Sequence, residues 1–336
     1  MSRFILRRLV LMIPVLLGVT LLTFVLTNLL PGDPARSLAG KFATPEQVEA
    51  TRKRLGLDQP LPVQYARYLG RLLRGDLGAS ISSRQPVRKE LLVFFPATLE
   101  LTVAAMTLTI VIGIPLGTLS GVTQSRWFSS LIMSSSLVGV GVPVFWLGLV
   151  AQLIFFGKLR ILPLCGRLDP RVFSPPPSVT NMYTIDALLA GQWATLANAV
   201  THLVLPAFCL ALPRIASVAR ITHASIVEVM RNDYIRTARA KGLRERIVVT
   251  RHALKNALLP TVTTVTLQIG WLLGGTILVE NIFSWGGLGT YAWIGIFRLD
   301  IPVVMGLTLV TTTVFLLLNL LADIVYRYLD PRITYE

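Results

Sequence analysis

The chain has 336 residues, 53% of them hydrophobic and 15% charged, and its mean hydropathy is +0.65. Soluble domains carry about a quarter charged residues, so this balance excludes a disordered chain and argues against a soluble enzyme. The net charge of +15 is not a nucleic-acid footprint, because the basic residues flank long apolar runs that such a surface does not need. Cys165 and Cys209 lie far apart, with no CxxC and no Cys/His cluster, and indicate neither a disulfide framework nor a metal site.

A helix needs about 20 apolar residues to cross the hydrocarbon core. Six stretches qualify, at 9–30, 97–121, 133–157, 196–217, 258–280 and 303–326. Lipid cannot satisfy open backbone groups and no alternating ten-residue strands occur, so the expected fold is an all-α integral membrane protein with six transmembrane helices. Pro14, Pro115, Pro143, Pro206 and Pro260 interrupt the stretches, as membrane helices tolerate. The first stretch follows Arg3, Arg7 and Arg8 and is longer than a signal-peptide core, so it is read as a retained span, despite a weak cleavage-like Ser37-Leu38-Ala39.

Residues 31–96 read as a helical insert between the first two spans. Pro31-Gly32-Asp33-Pro34 stops the first helix. Thr44 with Pro45 and Gln47 predicts a capping box, and Gly56 a left-handed end after Leu55. An amphipathic stretch from Val63 to Arg74 follows, ending at Gly75, with Arg67, Arg71 and Arg74 on a solvated face.

Charge sets the orientation. Residues 218–256 hold nine Lys/Arg against three acids, and with the basic termini this places the loop and both chain ends in the cytoplasm. The eleven Lys/Arg of 31–96 do not contradict this, because a 66-residue loop translocates largely regardless of charge. The layout expected is a cytoplasmic start and first span at 1–30 and the insert at 31–96. A five-helix core at 97–326 contains the basic loop, and a cytoplasmic tail follows at 327–336.

No GxxxxGK[ST] and no HExxH occurs, and His202, His223 and His252 are isolated. Glu100, Glu280 and Asp323 lie near predicted helix ends, which disfavours a proton relay and with it a stand-alone secondary carrier. Nor are there internal repeats of the kind such a carrier needs. An intramembrane enzyme needs a nucleophile and a base or metal ligands at membrane depth, and Ser134-Ser135-Ser136 has no histidine or lysine near it in sequence.

The loop's distinctive element is the run after Asn232 and Asp233, either a good N-cap, up to Gly242. About two turns of helix are predicted, with Ala238 and Ala240 leaving the backbone approachable and Arg236, Arg239 and Lys241 surrounding it with charge. A second helical run, Arg244 to Leu259, leads into the fifth span at Pro260. Two readings stand side by side: a lever through which a partner moves a membrane helix, and a solvated basic loop that sets topology.

Tyr234-Ile235-Arg236-Thr237-Ala238-Arg239-Ala240-Lys241-Gly242, continuing through His252 to Pro260, resembles the EAA loop of ABC-importer permeases in its peptide/nickel version. The resemblance extends over nearly the whole chain, through Arg7-Arg8-Leu9, Pro31–Pro34, Leu55–Pro60, Gly75–Ser80, Pro96–Leu101, Glu280–Trp285 and Asn319–Ile333. Gly286, Ile301, Met305 and His223 depart from the family's usual residues. The resemblance implies the type I ABC importer permease fold and the first, B-type, permease of a dipeptide or oligopeptide importer in a bacterial or archaeal inner membrane. It further implies a second homologous permease, two ATPase subunits that bind ATP and Mg, and an extracytoplasmic substrate-binding protein. Tyr234 through Gly242 would couple to the ATPases, and the chain itself would hold no cofactor. Glutathione, nickel chelates and oligosaccharides are further cargoes of proteins with this pattern. GxxxGxxxG at Gly113, Gly117 and Gly121, and Gly270 with Gly274, predict close helix crossings within the subunit.

Overall fold

The structure is a computed structural model and describes residues 2–29, 34–39, 43–123, 127, 129–132, 134 and 141–329. The described residues are helical, apart from loops and one isolated bridge between Ala79 and Pro86. In chain order the helices are α1 (Ser2–Leu29), α2 (Pro34–Ala39), α3 (Pro45–Leu55), α4 (Leu61–Leu73) and α5 (Val87–Thr123). Then come α6 (Val144–Ala151), continued by a π-helical Gln152–Lys158, α7 (Tyr183–Leu189), α8 (Trp193–Val229) and α9 (Asp233–Ala240). A single turn Glu245–Ile247 and a π-helical Val248–Ala253 run into α10 (Leu254–Gly275), followed by α11 (Ile277–Ile282), α12 (Leu288–Phe297) and α13 (Ile301–Leu329).

Among the described residues, five helical runs are long and apolar enough to cross a membrane: Ile5–Leu29, Val87–Thr123, Trp193–Val229, Glu245–Gly274 and Ile301–Val325. They answer five of the six expected stretches. The third expected stretch, 133–157, is described mainly from residue 141, where Pro143 caps α6. Most of its first half lies outside the described residues, as do Ser135, Ser136, the Pro31-Gly32-Asp33 turn and Asp330 to Glu336.

Helices α5 and α8 are much longer than their expected spans, at 37 residues each. At about 1.5 Å per residue each reaches about 55 Å, well past a hydrocarbon core of about 30 Å. The expected 258–280 span is instead broken at Thr276, which follows Gly274-Gly275 and turns its hydroxyl onto Glu280 Oε1 at 2.7 Å. Glu100, expected near a helix end, is instead the fourteenth residue of α5, because that helix starts ten residues before the expected span. Arg214, on which no expectation was placed, is the twenty-second residue of α8.

The chain divides into two compact units. Residues 1–95 and 287–316 form one. In it Phe24, Tyr68 and Met305 make a small core, with Thr20 Oγ1 and Tyr65 Oη 3.0 Å apart. The predicted capping box of α3 is present, with Gln47 N donating to Thr44 Oγ1 and Thr44 N to Gln47 Oε1, and Gly56 ends the helix at φ 69°. A second core of Val87, Leu91, Leu288, Tyr291 and Val303 is tied down by Ser80 Oγ and Ser82 N donating to the buried Asp300 carboxylate.

Residues 96–286 and 317–336 form the other unit, whose core gathers α5, α6, α8, α10 and α11 around Leu101, Leu205, Leu272 and Phe283. The glycine stripe of α5 packs against α8 within the subunit, as expected. A Cβ on Gly113 would lie 3.0 Å from Val218 Cγ1, and one on Gly121 2.6 Å from Ile226 Cγ2. Gly274 has open space around it.

Candidate functional site

Helix α8 ends where Met230 N donates to Ile226 O, and the three residues Met230, Arg231 and Asn232 lead to α9. Asn232 stands at the N-cap with extended backbone (φ −71°, ψ 148°), but its side chain makes no capping bond. Its carbonyl accepts from Ile235 N at 3.0 Å, and Asp233 places a negative charge in the first turn, where the helix dipole favours it. The far end closes with Gly242 N donating to Arg239 O and Leu243 N to Ala238 O. Gly242 sits at φ 74°, a left-handed conformation that costs a residue with a Cβ about 1–2 kcal/mol.

This helix has two unlike faces. Ile235 is fully buried and Ala238 nearly so, three residues apart on one side. They enter a core made by Ile226 of α8, by Met230 just after it, and by Val248, Ala253 and Ala257 beyond the loop. Burying one such isoleucine stabilises by about 1.5–3 kcal/mol. The π-helical segment explains how Val248 and Ala253 both reach this core: residues five apart share a face when the helix widens to i→i+5 bonding. The other face carries Arg236, Thr237, Arg239, Ala240 and Lys241, all exposed. Sequence reasoning left Ala238 and Ala240 equally approachable; Ala238 instead faces the core and only Ala240 stays outside.

Two polar ties complete the seat. Asn256 Nδ2 donates to Tyr234 Oη at 2.9 Å, joining the first turn of α9 to α10. Arg239 grips Glu245 with two bonds, Nε to Oε2 at 3.1 Å and Nη2 to Oε1 at 2.6 Å. The hydrogen bond to Glu245 raises the Arg239 pKa above its already high ordinary value, so the guanidinium stays charged. Among the described residues Arg236 has a looser partner, Asp233 at 3.6 Å, and both side chains are exposed. Through Tyr234, Ile235, Ala238 and Arg239, α9 is therefore tied to the end of α8 and to the segment that leads into α10.

At the opposite end of α8 the same unit holds a buried polar cluster that sequence reasoning missed. Glu100 of α5 accepts from Arg167 Nη2 at 2.7 Å and from Thr184 N and Oγ1 at 2.7 and 2.6 Å. Arg167 also donates to Asn181 O and lies 3.7 Å over the Tyr183 ring. Glu280 accepts from Thr98 Oγ1, and Trp285 Nε1 donates to Ala97 O. The pairing of residues 67 apart leaves no periodic trace that a sequence could show.

Comparison with known proteins bears on both ends. Residues 113–335 match the family described as binding-protein-dependent transport system inner membrane component, and residues 1–102 match the N-terminal family of the same systems. The dipeptide transport system permease protein of Alkalihalophilus pseudofirmus is 44% identical over 100% of both chains. The probable D,D-dipeptide transport system permease protein of Escherichia coli is 47% identical, over 95% of this chain and 94% of that one. The glutathione transport system permease protein of Pectobacterium atrosepticum is 38% identical over 100% of both. The chain belongs to the family of inner-membrane components of binding-protein-dependent transport systems.

Proposed function

We propose that this permease encloses a dipeptide pathway together with a second, homologous permease, and that α9 is the handle by which one of two ATPase subunits moves it. The two-faced seat of α9 carries the reading: its charged face is exposed while Ile235 and Ala238 are buried between α8 and α10. A partner that grips the exposed face must displace both membrane helices with it. Closure of two ATPases would draw the two permeases' α9 helices together and open the pathway outward; hydrolysis would reset it. ATP and Mg2+ would belong to the ATPase subunits, and a binding protein on the other face would deliver cargo. Dipeptides are favoured over glutathione by the relatives' names at 44% and 47% against 38% identity. The nine basic residues of 218–256 and Arg3, Arg7 and Arg8 support a cytoplasmic α9 and cytoplasmic chain ends, with 31–96 as the extracytoplasmic insert.

The test reverses charge on the exposed face, where the cost within the chain is a loose, solvent-exposed pair with Asp233, with Arg236→Glu combined with Lys241→Glu. Tagged chain is isolated in mild detergent and its companions are counted by mass spectrometry. Wild type should bring a second permease and two ATPase polypeptides. The variant should keep the second permease, lose at least nine-tenths of the ATPases, and lose dipeptide uptake in parallel. Full ATPase recovery with unchanged uptake would overturn the assignment of α9.

A further inference from the structure

Arg214 is an uncommon residue for its place. A charge within a membrane helix is costly and is kept where it meets a partner or an aqueous path. Here the helix is α8, long and apolar enough to span, and Arg214 lies half-buried within it. Its guanidinium offers five donors. Among the described residues it makes one hydrogen bond, from Nη1 to Leu210 O, and pairs with no carboxylate.

A second unfilled group lies at the same depth. The hydroxyls of Thr222 and Thr261, 3.0 Å apart, and the shared core of Ile226 and Ala257 set α8 and α10 in antiparallel register. Seven residues beyond the threonine pair, about 10 Å along each axis, come Ile215 on α8 and Gln268 on α10. Gln268 Oε1 is buried with no hydrogen-bond partner. Burying such a group unpaired costs about 1–3 kcal/mol. One layer of the bundle therefore holds a cation with most donors unused, next to Ile215, and a buried acceptor with nothing to accept.

We propose that Arg214 and Gln268 form a transient station for the cargo in the pathway, Arg214 binding a free C-terminal carboxylate and Gln268 Oε1 accepting from a backbone N–H of the same short peptide. The station rests on the dipeptide reading above. An arginine–carboxylate pair is charge-assisted and directional, and a site of two side chains holds a peptide without trapping it.

The permease–ATPase core is placed in nanodiscs without binding protein, and saturation-transfer NMR is read on alanyl-leucine and on alanyl-leucine amide. Wild type should transfer magnetisation to the acid at least fivefold more than to the amide. Arg214→Met should abolish that preference, Arg214→Lys should keep part of it, and Gln268→Leu should weaken transfer to the acid severalfold. If Arg214→Met does not assemble, the lysine and leucine variants carry the test. Equal acid and amide signals in wild type, or wild-type preference in Arg214→Met or in Gln268→Leu, would overturn the station. ATP-driven alanyl-leucine uptake by the complete wild-type transporter is measured in parallel. Absence of uptake removes the dipeptide reading and the station with it, whereas uptake without acid preference removes the station alone.

Discussion

Asn256 donates a hydrogen bond to the Tyr234 hydroxyl across the junction of α9 and α10, 2.9 Å from atom to atom. Glu245 holds the other end of α9 through Arg239. The two ties are exposed and individually weak. Their value is directional, because they fix the rotation of α9 about an axis that the apolar plug alone leaves free. On the proposed reading, a pull on α9 would then be delivered to α10 as a displacement rather than absorbed as a twist.

Replacing Ile235 by alanine removes the largest fully buried side chain that α9 contributes. Such truncations cost about 2–5 kcal/mol when the cavity cannot collapse. The expected result is lost hydrogen-exchange protection over 233–257 with the rest of the chain unchanged. ATP hydrolysis should persist while uptake falls at least tenfold, since the partner would grip a helix no longer anchored to α8 and α10. Uptake and hydrolysis falling by the same factor would contradict this.

Arg239 is an internal brace, so its reversal should be repairable from within the chain. Arg239→Glu alone places two carboxylates where a two-bond pair stood. Adding Glu245→Arg restores opposite charge at the same spacing. Uptake in the double variant should recover to at least half of wild type, while Arg239→Glu alone stays severalfold lower. A double variant no better than the single one would assign Arg239 to the ATPase surface instead.

The glycines of α5 and α10 should behave oppositely. Gly117→Ala drives a methyl into Ala219 O and to 2.7 Å from Thr222 Cβ, and Gly121→Ala meets Ile226 at 2.6 Å. Both obstacles belong to α8, so the helices must separate, and the thermal midpoint in detergent should drop by several degrees. Gly274→Ala meets nothing within 4 Å. There the midpoint should hold or rise slightly, because alanine is the better helix former.

What the sequence displayed and what it hid follow from the range of the forces involved. The Thr44–Gln47 capping box and the left-handed Gly56 and Gly242 are local, written within four residues, and were legible. So was the length of α9, bounded by Asn232 and Gly242. Ala238 turning inward depends on Ile226 and Val248, ten or more residues away, and was not legible. The ends of α5 and α8 were misplaced because hydropathy reports lipid depth, whereas both helices continue as long as tertiary packing supports them. The Thr276 break required knowing that Glu280 would be buried beside Thr98, 182 residues distant.

The Glu100–Arg167 pair supplies the sharpest stability prediction. Both side chains are largely buried, 4% and 11% exposed, and the carboxylate is surrounded by donors from Arg167 and Thr184. Removing one partner leaves an uncompensated charge, typically costing about 3–5 kcal/mol. Arg167→Leu should therefore lower the yield of folded chain sharply, and Glu100→Gln less so, because a neutral amide still accepts from Thr184 N. Combining Arg167→Leu with Glu100→Gln should restore part of the yield, since no charge is left buried. Thermal midpoints of the three variants, measured on the purified chain in one detergent, decide it: additive losses would mean that the two residues act separately, and the pair would not be a unit holding the 159–182 loop to α5.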